Sequence, residues 1–249
     1  MNGKQIFSDK ADNYKAGRAG YAPAAIAWIL ENCLKEGGNI ADVGSGTGLL
    51  SAEFISRGYE TYCVEPNAEM RAHADAAFAG SPNYHSIPTA AEATTLPEKS
   101  IRLITAGSSF HWFDTAGFLA ECRRILMPGG IVCLLFNARD YSDPLTLEQH
   151  EIFVRYGVNF TSLARGVEKI DQEAVNFFAP GYRRMEFDHP LTYTEQTFVS
   201  RNLSSSYAPR QGTAEYEACS EALRKLARRA AQDGLIRTGN KTVLVAGSV

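Results

Sequence analysis

The chain has 249 residues, 45% of them hydrophobic and 21% charged, which suits one large soluble α/β domain and is too apolar for a disordered chain. Its formal net charge of −3 and pI of about 6.0 exclude a broad basic surface for wrapping nucleic acid, so small or neutral partners are expected. Five scattered cysteines, Cys33, Cys63, Cys122, Cys133 and Cys219, include no C-x-x-C pair, so neither a zinc site nor a disulfide framework is expected and the thiols read as reduced, packed side chains of a cytoplasmic protein.

Met1 to Tyr14 is polar and lacks the basic-then-apolar pattern of an export signal. No apolar run approaches the roughly 20 residues of a membrane helix, so no membrane partner is expected. From Ala22 to Leu34, Ile26, Ile29, Leu30, Cys33 and Leu34 recur at helical spacing, and Gly37-Gly38 ends the element. Ile40 to Val43 reads as a strand interrupted by Asp42. The turn Gly44-Ser45-Gly46-Thr47-Gly48 follows, with a helical stretch to about Arg57. The unit repeats, with a strand over Thr61 to Val64 ending at Glu65, a helix over Ala68 to Phe78 and a third strand over Tyr84 to Ile87. Ile101 to Ala106, a helix over Thr115 to Leu126, and a fifth strand over Ile131 to Phe136 entered through Pro128-Gly129-Gly130 complete the series. Strands separated by helices imply parallel pairing, right-handed crossovers and a doubly wound sheet covered on both faces.

After Asn137 the alternation stops. Tyr141 to about Ala179 reads as helical segments rich in aromatic residues, suited to a cap over the sheet's C-terminal edge. Arg184 to Asp188 reads as a sixth strand and Thr242 to Ala246 as a seventh. Between them lie a helix opening near Thr192-x-x-Glu195, as in a capping box, and a basic helix over Glu215 to Ala231. The expected division is a core with an N-terminal lid over 1–137, a helical insert over 138–183, and a completing segment over 184–249. Glu148, His150 and Glu151 read as a solvated helix face, and so do Arg224, Lys225, Arg228 and Arg229; no metal site is expected. Arg139, Arg165 and Arg201 hint that an anion is held.

The turn after the first strand carries the strongest chemical signal. Glycine lets a ligand approach the backbone, and a helix N-terminus behind it offers N–H groups. Leu49 stands where a dinucleotide fingerprint needs its third small residue, and Leu49-Leu50 replace the Lys-Ser/Thr of a P-loop. G-x-G-x-G remains, with an acid, Glu65, ending the next strand, where a carboxylate can accept hydrogen bonds from both ribose hydroxyls of an adenosine. The turn alone does not name the ligand.

The order D-V-G-S-G-T-G at Asp42 to Gly48, V-E-P-N at Val64 to Asn67, A-A-E at Ala90 to Glu92, S-S-F-H-W-F-D at Ser108 to Asp114 and L-M-P-G-G at Leu126 to Gly130 resembles the class I S-adenosylmethionine-dependent methyltransferases. Within them it is most similar to the type 11, trans-aconitate methyltransferase-like enzymes of small molecules, and the likeness runs from about Phe7 to Asn137. It implies a seven-stranded Rossmann-like fold, S-adenosylmethionine as cofactor and transfer of its methyl group to a small molecule, a carboxylate among the acceptors considered.

The resemblance also implies roles. Gly44, Ser45 and Gly46 would pass beneath the methionine part of the cofactor, Gly48 would also belong to the cofactor site, and Asp42 would steady the turn or reach the ammonium group through water. Glu65 would hold the ribose, Pro66 and Asn67 would open the helix beside it, and Met70 would touch the adenine. Ala91 and Glu92 would border the adenine by their backbone, and Ser108 would lie near the sulfonium. Tyr14, Arg18 and Tyr21 match positions that close over the cofactor. His111 is the candidate catalytic residue, as a base or as a pocket wall. The family usually has cysteine at Ser45, proline at Ala19, aspartate at Arg102 and a polar residue at Ala90. A nicotinamide-dependent oxidoreductase, a nucleic-acid base methyltransferase and a non-catalytic S-adenosylmethionine-binding module are the rival readings.

Overall fold

The computed structural model describes residues 19–161, 163, 165–178 and 181–249. Tyr14 and Arg18 lie outside the described residues. A seven-stranded, mostly parallel sheet runs, from one edge to the other, through strands beginning at Tyr84, Thr61, Ile40, Ile101, Leu126, Asn240 and Tyr182. Its strands are β1 Ile40–Val43, β2 Thr61–Val64, β3 Tyr84–Ile87, β4 Ile101–Gly107, β5 Leu126–Arg139, β6 Tyr182–Asp188 and β9 Asn240–Gly247. All four residues of β1 are buried, as expected for the central strand of a sheet covered on both faces.

The helices are α1 Pro23–Cys33, α2 Ser51–Ile55, α3 Ala68–Ala77, α4 Thr115–Ile125, α5 Pro144–Tyr156, α6 Arg165–Phe177, α7 Glu195–Leu203 and α8 Ala214–Ala230. Proline opens α1, where a missing N–H costs nothing, and Ala25, Ile26, Ile29 and Cys33 form its buried stripe. Asn67 caps α3 by accepting from the N–H groups of Glu69 and Met70, and Asp114 caps α4 through Gly117.

In register, Asp42 lies opposite Cys63 of β2 and Thr105 of β4, and Val43 opposite Val64. The C-terminal ends of β1, β2 and β4 therefore stand side by side. The strand order reverses between β1 and β4, and ligands of doubly wound sheets gather at such a reversal.

Several expectations need correction. The fifth strand begins at Leu126 and runs through Pro128-Gly129-Gly130, and its register with β4 shifts between Ile101 and Leu103. Thr192 does not open a helix: it lies in β7 Leu191–Tyr193, which pairs antiparallel with β8 Ile236–Thr238 in a second, two-stranded sheet. The capping box belongs to Thr194 and Thr197 at the start of α7. His150 is half-buried rather than solvated, with its ring edge-on to Tyr141 and Phe160. The basic side chains of α8 are exposed, as expected, and Arg228 pairs with Glu195 at 2.9 Å and Arg229 with Glu148.

The described residues form two compact units. Among the described residues, one comprises residues 20–137, 166–178, 181–187 and 242–249, and the other comprises 19, 138–161, 163, 165 and 188–241. The first packs Ile26, Ile29, Ile40, Phe54, Leu103, Leu135 and Leu244 into its core. The second packs Phe153, Phe198, Leu223, Leu226 and Ile236. All five cysteines are buried free thiols. Among the described residues, no helix is long and apolar enough to cross a membrane and no cluster of metal-ligating side chains is present.

Candidate functional site

The turn after β1 has four of its N–H groups bonded within the fold. The N–H groups of Gly44 and Ser45 both donate to the Val64 carbonyl, at 2.8 and 3.1 Å, and that of Gly48 donates to the Ser45 carbonyl. Gly46 donates its N–H to Glu65 Oε2 at 3.0 Å. These N–H groups are thus engaged within the fold, and the α2 helix behind them has only five residues. The expectation of a free N–H cradle at this turn is corrected accordingly: what the turn presents is a carboxylate, and a carboxylate repels phosphate.

Gly44 and Gly46 both need the left-handed region, with φ of 66° and 58°, but for different surroundings. A Cβ on Gly44 would stand 2.5 Å from Ser109 Cβ and 3.0 Å from the Phe113 ring, so Gly44 is glycine for packing. A Cβ on Gly46 would meet nothing nearer than Met70 Cε at 3.9 Å, so the turn is open there. Gly48 lies against the Phe78 ring, which would be 2.4 Å from its Cβ, and so belongs to the scaffold rather than to the opening. Met70, itself buried, borders the opening from α3, and the half-buried Ser45 carries a buried hydroxyl with no partner among the described residues.

Two acids at the ends of neighbouring strands behave differently. Asp42 is 1% exposed and accepts from Ser51 Oγ at 2.5 Å and Thr105 Oγ1 at 2.9 Å, tying β1 to α2 and β4. Burial raises its pKa to about 6, against the opposing effect of those hydrogen bonds. With no exposed oxygen, Asp42 steadies the turn. Glu65 is half-buried, and its second oxygen, Oε1, accepts from the Asn67 N–H at 2.8 Å. Burial raises its pKa as well, opposed by the N–H groups of Asn67 and Gly46 and by the Arg71 charge. The two N–H groups fix the carboxylate's direction toward Gly46. Each oxygen keeps acceptor capacity, so the group can still receive two hydroxyls. Pro66 lies between Glu65 and the Asn67 cap.

Around β4, Ser108 has a φ of 55°, unusual for a residue with a side chain, and its Oγ is 3.3 Å from the Tyr21 hydroxyl. Tyr21 is held because the Gly20 carbonyl accepts from Asn137 Nδ2 and the Ala22 N–H donates to Thr242 Oγ1, itself bonded to Asn137. Ala91 is buried, and the Glu92 carboxylate accepts the Asp114 N–H at 2.9 Å. His111 lies in the short 3-10 turn Phe110–Trp112, tilted against Trp112 and edge-on to Phe136 at 5.8 Å. Arg102, which replaces the acid usual in the resemblance, stands at the other end of β4, 3.5 Å from Glu36.

Sequence reading missed Ser51, Thr105, Ser109, Asn137 and Thr242. Ser109 donates to the Val43 carbonyl at 2.8 Å and fills the space over Gly44, so it shapes the turn as directly as the glycine does. Its one signal was adjacency to Ser108. The others are small polar residues on strands and a helix whose partners stand far off in the chain.

Residues 41–134 match the family model described as a methyltransferase domain. An uncharacterized methyltransferase of Mycobacterium tuberculosis is 32% identical over 151 residues, 61% of this chain and 60% of that protein. One of Schizosaccharomyces pombe is 32% identical over 146 residues, 58% and 57% of the two chains. The chain thus spans about three-fifths of the length of the curated relatives it matches. A solved structure, a putative type II methyltransferase from Anaeromyxobacter dehalogenans, superposes with a TM-score of 0.66 over 92% of this chain and 97% of that one, at 19% identity, which establishes a shared fold.

Proposed function

We propose that this chain, whose residues 41–134 match the methyltransferase domain family, is an S-adenosylmethionine-dependent methyltransferase acting on a small molecule. The observation that carries the reading is Glu65 at the tip of β2, its carboxylate aimed at the one glycine of the turn whose surroundings are open. A carboxylate there suits the two hydroxyls of a ribose, as it would in a nicotinamide cofactor too, but the N–H groups of Gly44, Ser45, Gly46 and Gly48 are engaged within the fold and are not offered to a pyrophosphate.

The residues present fit the cofactor on chemical grounds. Glu65 would accept the ribose hydroxyls, and Ser45 Oγ, a buried hydroxyl with no partner among the described residues, would face the methionine part. Met70 and Ala91 supply apolar surface for the adenine, with the Glu92 backbone beside them. Ser108, braced by Tyr21, would stand nearest the reacting atoms. S-adenosylmethionine supplies, when bound, a methyl group already activated on a positively charged sulfur. The chain then has to align donor and acceptor and keep water out. Alignment alone is worth about 7 to 11 kcal/mol, so no dedicated base is required for a carboxylate or another ready nucleophile. His111, packed on Phe136 and Trp112, serves as a wall of the acceptor space. A small acceptor, with carboxylates among the candidates, is favoured over nucleic acid because Arg228, Arg229 and Lys225 already pair with Glu195, Glu148 and Glu221.

Titration with labelled S-adenosylmethionine in parallel with NADH tests the reading. Binding of the first alone is expected, and binding of NADH alone overturns it.

A further inference from the structure

Two of the five free thiols touch. Cys33, the last residue of α1, has its sulfur 3.9 Å from that of Cys133 in β5, and both belong to the core packed around Ile29, Leu103 and Leu135. They are 100 residues apart in the chain and 3% and 0% exposed. A disulfide needs the sulfurs at about 2 Å, so each pair of electrons has only about 2 Å to close. Cys33 stands at a helix end, followed by the turn that holds Gly37 and Gly38 at positive φ, and that end can take up the approach.

The two thiols differ in access. Cys33 lines an open groove of about 440 Å³ together with Trp28, Asn32, Ile131, Tyr182 and Arg183, among others. Cys133 is fully enclosed. A small molecule that enters the groove meets the Cys33 sulfur first.

They differ in acidity as well. The hydrogen bond with Cys133 and the positive charge of Arg102 hold the Cys33 thiol below its ordinary pKa, against the effect of burial. The same hydrogen bond, with burial, pushes Cys133 well above its own. An aspartate in place of Arg102, as is usual in the resemblance, would act on Cys33 in the opposite sense. Burial pushes the other three thiols up, Cys63 to about 12, Cys219 to about 11 and Cys122 well above the ordinary value. The thiolate is the form that attacks, so Cys33 is the thiol of the five suited to react.

We propose that Cys33 and Cys133 form an oxidisable pair, in which Cys33 meets a small hydroperoxide in the groove and Cys133 then closes a disulfide with it. In the first step the Cys33 sulfur attacks one peroxide oxygen, the O–O bond breaks, and the departing oxygen takes a proton to leave as water or an alcohol, which makes Cys33 a sulfenic acid. In the second, the Cys133 sulfur attacks the Cys33 sulfur, the S–O bond breaks, and the hydroxyl leaves as water with the Cys133 proton. Two thiols are oxidised by two electrons and one peroxide is reduced. The inference does not rest on the methyl-transfer reading.

Treatment of the folded full chain with hydrogen peroxide, followed by alkylation of the remaining thiols in urea, proteolysis without reductant and mass spectrometry, tests the proposal. The expected product is a Cys33–Cys133 disulfide that dithiothreitol reverses, with Cys63, Cys122 and Cys219 still alkylated. In Cys133→Ala the bond cannot form, and Cys33 should accumulate as a sulfenic acid that dimedone traps. In Cys33→Ala the oxidation of Cys133 should slow by at least about tenfold, because the thiol that faces the groove is gone. The disulfide of the unaltered chain is read without either variant, so the test stands even where a variant fails to fold. A folded chain that keeps all five thiols, a disulfide between other cysteines, or a Cys33→Ala chain whose Cys133 oxidises at the unaltered rate would each overturn the proposal.

Discussion

Around the turn after β1 the polar groups of the fold are arranged to accept. The backbone N–H groups of Gly44, Ser45, Gly46 and Gly48 all donate inward, and the feature presented to the opening is the carboxylate of Glu65. Around Arg139 the arrangement is the reverse, since the amide oxygens of Gln149 and Asn202 accept from the guanidinium. The chemistry a site offers is therefore what remains after the fold has satisfied itself. A glycine-rich turn is not an anion site when its own N–H groups are already engaged, and an arginine is not a structural ion pair when its partners are neutral.

The sharpest way to break the acceptor side of this comparison is Gly46→Val. The added Cβ would meet no atom of the fold nearer than Met70 Cε at 3.9 Å, and the side chain would occupy the opening, so S-adenosylmethionine binding should fall more than about 100-fold. The left-handed backbone adds about 1 to 2 kcal/mol of strain, a midpoint loss of a few degrees in a circular dichroism melt. A normal titration curve would show that the opening is not the donor site.

Glu65→Ala removes the acceptor itself and should cost about 1 to 3 kcal/mol of cofactor binding in calorimetry. In the unaltered chain a proton on Glu65 competes with the ribose. Because burial raises this carboxyl's pKa, affinity should decline on acidification earlier than an ordinary exposed glutamate would require. An affinity independent of pH would remove Glu65 from the site.

Asp42→Asn separates the acid that serves the fold from the acid that faces the opening. With its pKa raised from 3.8 to about 6, folded Asp42 holds a proton that the unfolded chain has released. The stability of the unaltered chain relative to Asp42→Asn should thus be greatest below about pH 4 and fall as pH rises through about 6. The change should be about 1 to 3 kcal/mol, read by urea denaturation at the two ends of that range. A difference that does not vary with pH would show Asp42 ionising as an exposed aspartate does.

The parallel half of the sheet was legible because its signals are local. Ile40 to Val43, the glycine turn and Thr61 to Glu65 each announce an element within a few residues, and the observed strand bounds agree. The region after Asn137 was less so. The pair of short strands Leu191–Tyr193 and Ile236–Thr238 joins residues over forty positions apart, and three-residue strands carry no periodicity to read. The same limit hid Thr105 and Thr242, which look like ordinary strand residues until a partner arrives.

The sequence by itself determined the strand-turn-helix order, the position of Glu65 at the end of the second strand and the resemblance that names a cofactor class, because periodicity and turn chemistry act between neighbours. Only the tertiary structure decided that Asp42 is enclosed while Glu65 faces the turn, that Ser109 and Phe113 fill the space over Gly44, and that Arg139 meets amides rather than acids. Which polar group is left for a ligand depends on which partners the rest of the chain brings within hydrogen-bond reach, and that is a property of packing across distant segments.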